Sequence, residues 1–433
     1  MKILIITHEF PPLNTIGALR PYSWAKYWSK MGHEIKVITT KKEKFDGILN
    51  PNFDWSDLKS VDIEELEYFP SFFRPKSSLN IVENNNLKQE QKIDAYSILK
   101  KYSKYIRQLI GVGSLISIRD LWIRPAVKRV LQIYQYWKFD CIVSTYGPPA
   151  PHIVAGIIKR KLNIFWLADY RDLWYQTHYL ATKFPFSILQ KKIENFIVSK
   201  ADRITIVSDP LKERLRERFG NKVVTIPNGF DTEKKPKELY SIFPKDCKIR
   251  LAYTGKIRKY KQDLNPLFEA IFTLKQQRID LQSKLEVLFY GWQLENVPNL
   301  IEIYNLSDIV KLPGAVYREE ALQIQRSVDA LLFFDWEDDS VDGILTGKIF
   351  EYMYSGTPVL GIGASENTAA GRLIQEAGIG ICLGKSVEKI AQCIEKLLNH
   401  DEIYYSPSED ILQQYTREGL AKKMLEQIIE YKN

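Results

Sequence analysis

The sequence predicts an α/β protein built from two doubly wound, parallel-sheet domains. Three observations carry this. The chain has 433 residues, beyond the roughly 250 to 300 at which a single hydrophobic core stops growing. Short apolar runs alternate with helix-period segments along most of it, the signature of strand–helix–strand units. The alternation breaks near the middle, from Asn228 to Lys248, where Gly229, Pro236, Pro244 and several lysines intervene, as a linker does. The expected organisation is therefore an N-terminal domain over 1–235, a second over 236–410, and a C-terminal helix over 411–433 that packs back on the first. Ligands of such sheets lie at the carboxyl ends of the strands, and two such ends would face each other across a cleft.

In order along the chain, Lys2 to His8 reads as a buried strand, Gly17 to Met31 as a helix closed by Gly32-His33, and Glu34 to Thr40 as the next strand. Between Lys42 and about Tyr96, Pro51, Pro70, Pro75 and the Asn84-Asn85-Asn86 run predict long loops or a mobile insertion. The alternation resumes with strand Asp140–Ser144, helix Pro151–Lys161, strand Ile164–Asp169, a helix from Phe186 to Lys200, strand Arg203–Ser208, a helix ending at Gly220, and strand Val223–Pro227. The second series comprises strand Ile249–Gly255, helix Leu264–Gln276, strands Leu285–Gly291 and Ile309–Leu312, helix Arg318–Arg326 and strand Ala330–Asp335. A helix opening at Thr346, strand Thr357–Ile362, helix Ala370–Ala377, strand Ile379–Leu383, helix Val387–Asn399 and one long helix Glu409–Tyr431 complete it.

Hydrophobic residues at 45% and charged residues at 26% are those of a soluble globular protein. No apolar run approaches the roughly 18 to 20 residues that span a bilayer, and the N-terminus reads as no export signal. Cys141, Cys247, Cys382 and Cys393 lack the close spacing of a zinc or redox pair and are expected as reduced core residues of a cytoplasmic protein. The net charge of +8 favours an anionic partner. From Lys100 to Lys138 cations crowd around the one acid, Asp120, interleaved with Tyr102, Tyr105, Leu109, Leu121 and Trp122. Such a stretch suits an anionic membrane interface, or simply a solvated helix packed by its apolar face. It contains no recognisable nucleic-acid-binding module.

The stretch from Asp342 to Leu360 puts a glycine, a lysine and a carboxylate at one helix start. Thr346 can cap that helix, and the amides around Leu345, Thr346 and Gly347, with the positive end of the dipole, suit a diphosphate. Lys348 adds a full charge. Glu351, three residues on, shares its face and has the acceptor pair that a ribose diol needs. The plain alternative is an ordinary helix with a chance Lys and Glu. Tyr253-Thr254-Gly255-Lys256-Ile257-Arg258-Lys259-Tyr260-Lys261 follows the first strand of the second domain; its four cations form a diphosphate clamp or a solvated basic turn.

In the first domain, Gly17 sits in the loop after the first strand, where its backbone could approach a phosphate or sugar closely with Arg20 nearby. Ser144 to His152 delivers His152 to a helix's first turn, where it would be held neutral, as a hydrogen-bonding group or a simple cap. Asp169, Arg171 and Asp172 lie just past another strand, either locked to one another or lining an acceptor pocket.

These motifs together resemble the retaining glycosyltransferases of the two-Rossmann-domain architecture, GT-B, in the group called family 4. The resemblance spans essentially the whole chain. It rests on Phe10-Pro11-Pro12 with Gly17 and Arg20, the Pro148-Pro149…His152 turn, Asp169 to Trp174, Ala201-Asp202-Arg203, Ile226 to Asp231, Tyr253 to Lys256, and Lys348 to Val359. It implies that Lys256 and Lys261 neutralise the donor diphosphate, that Glu351 binds the ribose, that His152 and Gly17 border the transferred sugar, and that no metal or resident cofactor is required. Glu337-Asp338-Asp339 has no clear ligand pattern. One departure concerns the second glutamate that the family usually carries eight residues before Glu351: Gly343 stands there, beside Asp342. Either Asp342 substitutes for it, or backbone amides alone hold the sugar.

The leading expectation is a metal-independent, retaining hexosyl- or N-acetylhexosaminyl-transferase. It would take a UDP- or GDP-linked sugar to a glycan acceptor, lipid-linked in surface polysaccharide or glycoconjugate synthesis, while peripheral to the inner face of the cell membrane. The alternatives are a sugar-nucleotide epimerase, or a non-catalytic nucleotide- and membrane-binding partner of a glycan assembly complex.

Overall fold

The computed structural model describes residues 1–42, 46, 49–67, 117–175, 182–232, 242–258, 261–291, 293–336 and 345–432. Several expectations lie outside these residues: the 235/236 boundary, most of the 42–96 segment, the Lys100–Ile116 part of the basic stretch, Lys259, Tyr260, Glu337 to Asp339, Asp342 and Gly343. The chain divides into two compact units, one of Met1–Val207, Lys212–Ile226 and Ala421–Asn433, the other of Ser208–Leu211 and Pro227–Leu420.

Unit 1 is a seven-stranded parallel sheet in the order β3-β2-β1-β4-β5-β6-β7. Its strands are β1 (Lys2–Ile6), β2 (Glu34–Thr40), β3 (Asp62–Leu66), β4 (Cys141–Thr145), β5 (Phe165–Tyr170), β6 (Arg203–Ile206) and β7 (Val223–Thr225). The helices are α1 (Ile16–Lys30), α2 (Ile123–Tyr136), α3 (Ala150–Leu162), α4 (Phe186–Val198) and α5 (Asp209–Phe219), whose first three residues belong to unit 2. β4 and β5 are buried along their whole length, which is why they read as continuous apolar runs rather than alternating ones. Strand β3 was not expected. It is the edge strand, paired on one side only, to β2, so Asp62 and Glu65 stay in solvent while the half-buried Glu64 pairs with Arg129. The described end of the basic stretch follows the plainer reading: Trp122 is fully buried, and α2 packs through Ala126, Val130 and Ile133.

Unit 2 is a six-stranded parallel sheet ordered β10-β9-β8-β11-β12-β13, from β8 (Ile249–Thr254), β9 (Leu285–Tyr290), β10 (Val310–Gly314), β11 (Ala330–Phe334), β12 (Val359–Ile362) and β13 (Gly380–Gly384). Its helices are α6 (Asn265–Gln277), α7 (Leu281–Lys284), α8 (Val297–Ile303), α9 (Arg318–Ser327), α10 (Gly347–Met353), α11 (Ala369–Glu376), α12 (Val387–Leu398) and α13 (Glu409–Gln414), with α14 (Arg417–Lys432) running from unit 2 into unit 1. The period-two pattern of the strands divides the core. Leu251, Tyr253, Val287, Phe289, Leu332 and Phe334 pack with α6 and α12 on one face. Ala252, Leu288, Leu331 and Phe333 pack with α9, α10 and α11 on the other.

Three expectations needed correction. Helix α8, which carries the crossover between β9 and β10, was missed because it is two turns long and buries only Val297 and Leu300. The long C-terminal helix is two, because Phe230 pairs its backbone with Tyr415 O (3.1 Å) and Arg417 N (2.8 Å) between them. Among the cysteines, Cys247 is exposed and Cys382 half-buried, so only Cys141 and Cys393 are core residues. No helix among the described residues is long and apolar enough to cross a membrane.

Candidate active site

In both sheets the strand order reverses beside the first strand, between β1 and β4 and between β8 and β11. A ligand of a doubly wound sheet sits at that reversal, past the carboxyl ends. In unit 2, β8 is followed by Gly255, whose φ of +141° few other residues adopt. Its amide donates to Tyr290 O at 2.7 Å. A side chain on Gly255 would put its Cβ 2.2 Å from Lys348 Cε and 2.4 Å from Nζ, so the lysine head rests directly on the Gly255 backbone. Lys348 Nζ also stands 5.0 Å from the centre of the Tyr253 ring, a cation–π contact. Burial pulls the Lys348 pKa down, Tyr352 and Glu351 oppose that shift, and Arg258 reinforces it.

Glu351 lies one turn along α10, and its Oε1 accepts from Arg318 Nε at 3.1 Å. Arg318 was not anticipated. The signal was available, since it opens the helix that follows a strand end. Thr346 occupies the N-cap backbone position, as expected, but its hydroxyl makes no capping hydrogen bond and has no partner among the described residues. Leu345 and Gly347 flank it, half-buried. The Lys256 side chain is exposed, while its carbonyl accepts from the Tyr253 hydroxyl at 2.7 Å. The chain then turns back, Lys261 N donating to Arg258 O (3.1 Å), which brings Lys261 Nζ to 5.7 Å from the Trp336 ring at the end of β11. Thr254 N donates to Tyr352 Oη (3.2 Å) and Gln325 Nε2 to Thr254 Oγ1 (2.8 Å), fixing β8 to α10 and α9.

In unit 1 the predicted cations have other work. Arg20 donates to both oxygens of Asp169, through Nε at 3.2 and 3.1 Å and Nη2 at 2.7 Å, and to Ile226 O at 2.8 Å. Thr145 and Thr205 hydroxyls also donate to Asp169, at 2.9 and 2.8 Å. With Asp169 fully buried and Arg20 nearly so, these two acceptor-side candidates form an internal lock. Arg171 donates from Nη1 to Glu9 Oε2 (2.8 Å), from Nε to Tyr146 O (2.8 Å) and from Nη2 to Gly147 O (3.1 Å). A Cβ on Gly17 would lie 1.6 Å from Arg171 Nη1 and 2.0 Å from Glu9 Oε2. The open face expected of Gly17 is thus filled by this ion pair. Burial opposes the Arg171 charge, but Glu9, Asp172 and Asp169 outweigh it and raise its pKa. Asp172 is half-buried beside it.

His152, third residue of α3, is wholly buried. Its Nδ1 meets Ser144 Oγ at 2.8 Å, and Ser144 Oγ accepts the Trp166 indole N–H at 2.8 Å. The indole can only donate, so the Ser144 oxygen keeps its proton and one lone pair for Nδ1, and which of the two donates follows the ring tautomer. Nε2 has no partner among the described residues. Burial lowers the His152 pKa to about 3, Asp169 opposing, so the ring is neutral at physiological pH.

Residues 88–234 match the family model described as Glycosyltransferase Family 4. Among solved structures, the chain is similar to a glycosyltransferase from Rickettsia africae ESF-5 (TM-score 0.60, 16% identity, covering 99% of this chain and 98% of that one). It is similar also to a sucrose-phosphate synthase from Thermosynechococcus elongatus (0.62, 15%, 100% and 99%) and to a UDP-GlcNAc 2-epimerase from Methanocaldococcus jannaschii (0.54, 14%, 100% and 100%). None of the curated proteins matches the sequence. The chain has a GT-B fold, within which residues 88–234 match the Glycosyltransferase Family 4 model.

The matched segment includes His152, Asp169, Arg171 and Asp172; Lys256, Lys261, Lys348 and Glu351 lie beyond it. Within the segment, His152 makes the pH dependence of stability predictable. Its folded pKa lies below the unfolded value near 6.5, so the unfolded chain binds the extra proton. Its share of stability is therefore complete above about pH 6.5 and falls by about 1.4 kcal/mol per unit as the pH drops toward 3. Scanning calorimetry should show a steeper acid loss of Tm for the wild type than for His152→Gln; parallel slopes would refute a neutral buried imidazole.

Proposed function

We propose that the chain is a retaining, metal-independent glycosyltransferase. It moves a hexosyl or N-acetylhexosaminyl group from a UDP- or GDP-linked donor to a glycan acceptor carried on a lipid, at the inner face of the cell membrane, in surface polysaccharide or glycoconjugate synthesis. The observation that carries this reading is the seating of Lys348 on Gly255, one helical turn from Glu351, where β8 ends. The Lys348 ammonium is desolvated, and no carboxylate among the described residues lies within ion-pair distance of it. A diphosphate would supply that counter-charge.

The chemistry follows from charge. As the bond from the anomeric carbon to the diphosphate breaks, negative charge grows on the departing oxygen, and fixed cations in a water-poor site stabilise it more than bulk water does. Lys348, Lys256 and Lys261 serve this role. The acceptor hydroxyl attacks from the face the diphosphate leaves, so no protein nucleophile is needed. Glu351, paired with Arg318, accepts from the ribose hydroxyls, and His152 Nε2, which has no partner among the described residues, hydrogen-bonds a hydroxyl of the sugar. The membrane assignment draws on the basic, apolar sequence from Lys100 to Ile116, ahead of the packed helix α2.

Calorimetric titration with uridine and guanosine diphosphates tests this reading. Glu351→Ala should weaken the preferred nucleotide by about 1.5 to 3 kcal/mol, the range for hydrogen bonds to a charged group. Lys256→Ala should lower turnover of the nucleotide sugar while leaving affinity nearly intact. Unchanged affinity in the first variant would remove Glu351 from the site, and normal turnover in the second would leave Lys256 a surface charge. The likeness to an epimerase fold keeps a second reading in play: conversion of the donor sugar without any acceptor would favour it. A chain that binds nucleotide yet neither transfers nor slowly hydrolyses its sugar would be the non-catalytic partner.

A further inference from the structure

Helix α4 is inverted. The stripe it buries contains Gln190 and Glu194 along with Val198, whereas Ile188 and Leu189 are each 48% exposed and Phe196 64%, with Phe184 just before the helix at 80%. The buried polar pair is fully engaged. Glu194 accepts from Tyr170 Oη (3.0 Å) and Tyr175 N (3.1 Å) and pairs with Arg218 Nη2 (2.9 Å). Gln190 donates to Trp174 O (2.7 Å) and accepts from the Thr182 hydroxyl. The inner face is thus largely committed to holding the segment after β5; Phe186, Ile193 and Ile197 are half-buried, and Ile188, Leu189 and Phe196 are left outside.

Ile188, Lys192 and Phe196 follow one another at intervals of four along one side of the helix, and Phe184 precedes its first turn. Lys183, Lys191, Lys192 and Lys200 are all exposed along it. From Thr182 to Ala201 the one acid is Glu194, which is buried. Arg160 extends the basic edge: its guanidinium lies 3.8 Å over the Phe196 ring, and its Nη2 donates to Phe196 O at 3.0 Å. Protein interfaces are depleted in lysine at their centres. Phenylalanine and leucine ringed by lysine, with no exposed carboxylate, instead match the boundary between acyl chains and anionic headgroups.

We infer that the exposed face of α4, from Lys183 to Lys200, is a contact surface for an anionic lipid bilayer. This rests on the peripheral-membrane reading above but assigns the contact to a different element from the Lys100–Ile116 stretch. Phe184, Ile188 and Leu189 enter the headgroup layer while the lysine stems lie along it and their ammonium groups meet phosphate.

Co-sedimentation of the full chain with phosphatidylglycerol-containing vesicles, against pure phosphatidylcholine, tests it. The wild type should bind the former and not the latter. The double variant Phe184→Ser/Ile188→Ser should weaken that partition by roughly tenfold or more, with far-UV dichroism and nucleotide affinity unchanged. Each of Lys183→Gln and Lys192→Gln should weaken it by roughly fivefold at low salt. Wild-type partition in the serine variant would overturn the assignment. Loss of binding on neutralising Lys100, Lys101, Lys104 and Arg107 with the serine variant unaffected would also overturn it, while leaving the membrane reading standing. A wild type that binds no vesicle would refute both. If the serine variant changes only self-association in sedimentation velocity, α4 contacts a second copy and the lipid proposal fails.

Discussion

Replacing Arg20 by alanine should destabilise unit 1 by about 3 to 5 kcal/mol, the range seen when one partner of a buried ion pair is removed. Asp169 is fully buried, and its two oxygens take three contacts from Arg20 and one from each of Thr145 and Thr205. Without the guanidinium, the carboxylate either keeps its charge in a low-dielectric interior with two hydroxyl donors or takes up a proton. Ile226 O loses its donor as well. Arg20→Lys should recover less than half of the loss, because one ammonium cannot supply the bidentate fork and the carbonyl contact together. Arg20→Met combined with Asp169→Asn should recover more, since no unpaired charge then remains. Urea unfolding followed by tryptophan fluorescence suits the measurement, because Trp24, Trp28, Trp122, Trp166 and Trp174 all lie in unit 1. An alanine variant with a wild-type midpoint would show that the pair holds nothing together, and would return Arg20 to the list of groups free to meet an acceptor.

The same lock shows where the sequence stops being readable. The motif placed Asp169, Arg171 and Arg20 near strand ends, as found. Whether a charge waits for a ligand or is consumed internally depends on what lies across the fold: Arg20 and Asp169 are 149 positions apart, and Arg171 and Glu9 162. Local spacing carries no trace of such pairings. By contrast Lys348 and Glu351 were legible, because three residues on one helix fix their common side whatever the tertiary structure. The strands followed the same logic. Fully buried ones such as β11 announce themselves as Ala-Leu-Leu-Phe-Phe, whereas β3, at the sheet edge with three carboxylates in five residues, has the composition of a loop. The break between α13 and α14 was hidden for the reason the lock was: it is made by Phe230, from a distant part of the chain.

Gly291→Ala should abolish detectable nucleotide binding, a loss of roughly 100-fold or more, equal to about 2.7 kcal/mol. An added Cβ there would stand 1.8 Å from Gly255 O, a backbone atom that no rotamer change can move aside. The local chain is pinned on both flanks, Gly255 N donating to Tyr290 O at 2.7 Å and Gly291 N to Gly314 O at 3.0 Å. The displacement therefore passes into Gly255 and into Lys348, whose head lies on it. Gly255→Ala differs in kind. Its Cβ meets the flexible end of Lys348, so the lysine swings off the site at small steric cost, and the strained φ adds about 1 to 3 kcal/mol. Gly314→Ala is the control: its φ is +101°, yet nothing lies within 4 Å of the new Cβ. Calorimetric titration with the nucleoside diphosphate, paired with Tm, separates the three. Gly291→Ala should lose most of both affinity and stability, Gly255→Ala affinity together with the smaller stability cost of its strained φ, and Gly314→Ala stability alone. Wild-type affinity in Gly291→Ala would mean that the Gly255 carbonyl and the lysine resting beside it are not the floor of the diphosphate site.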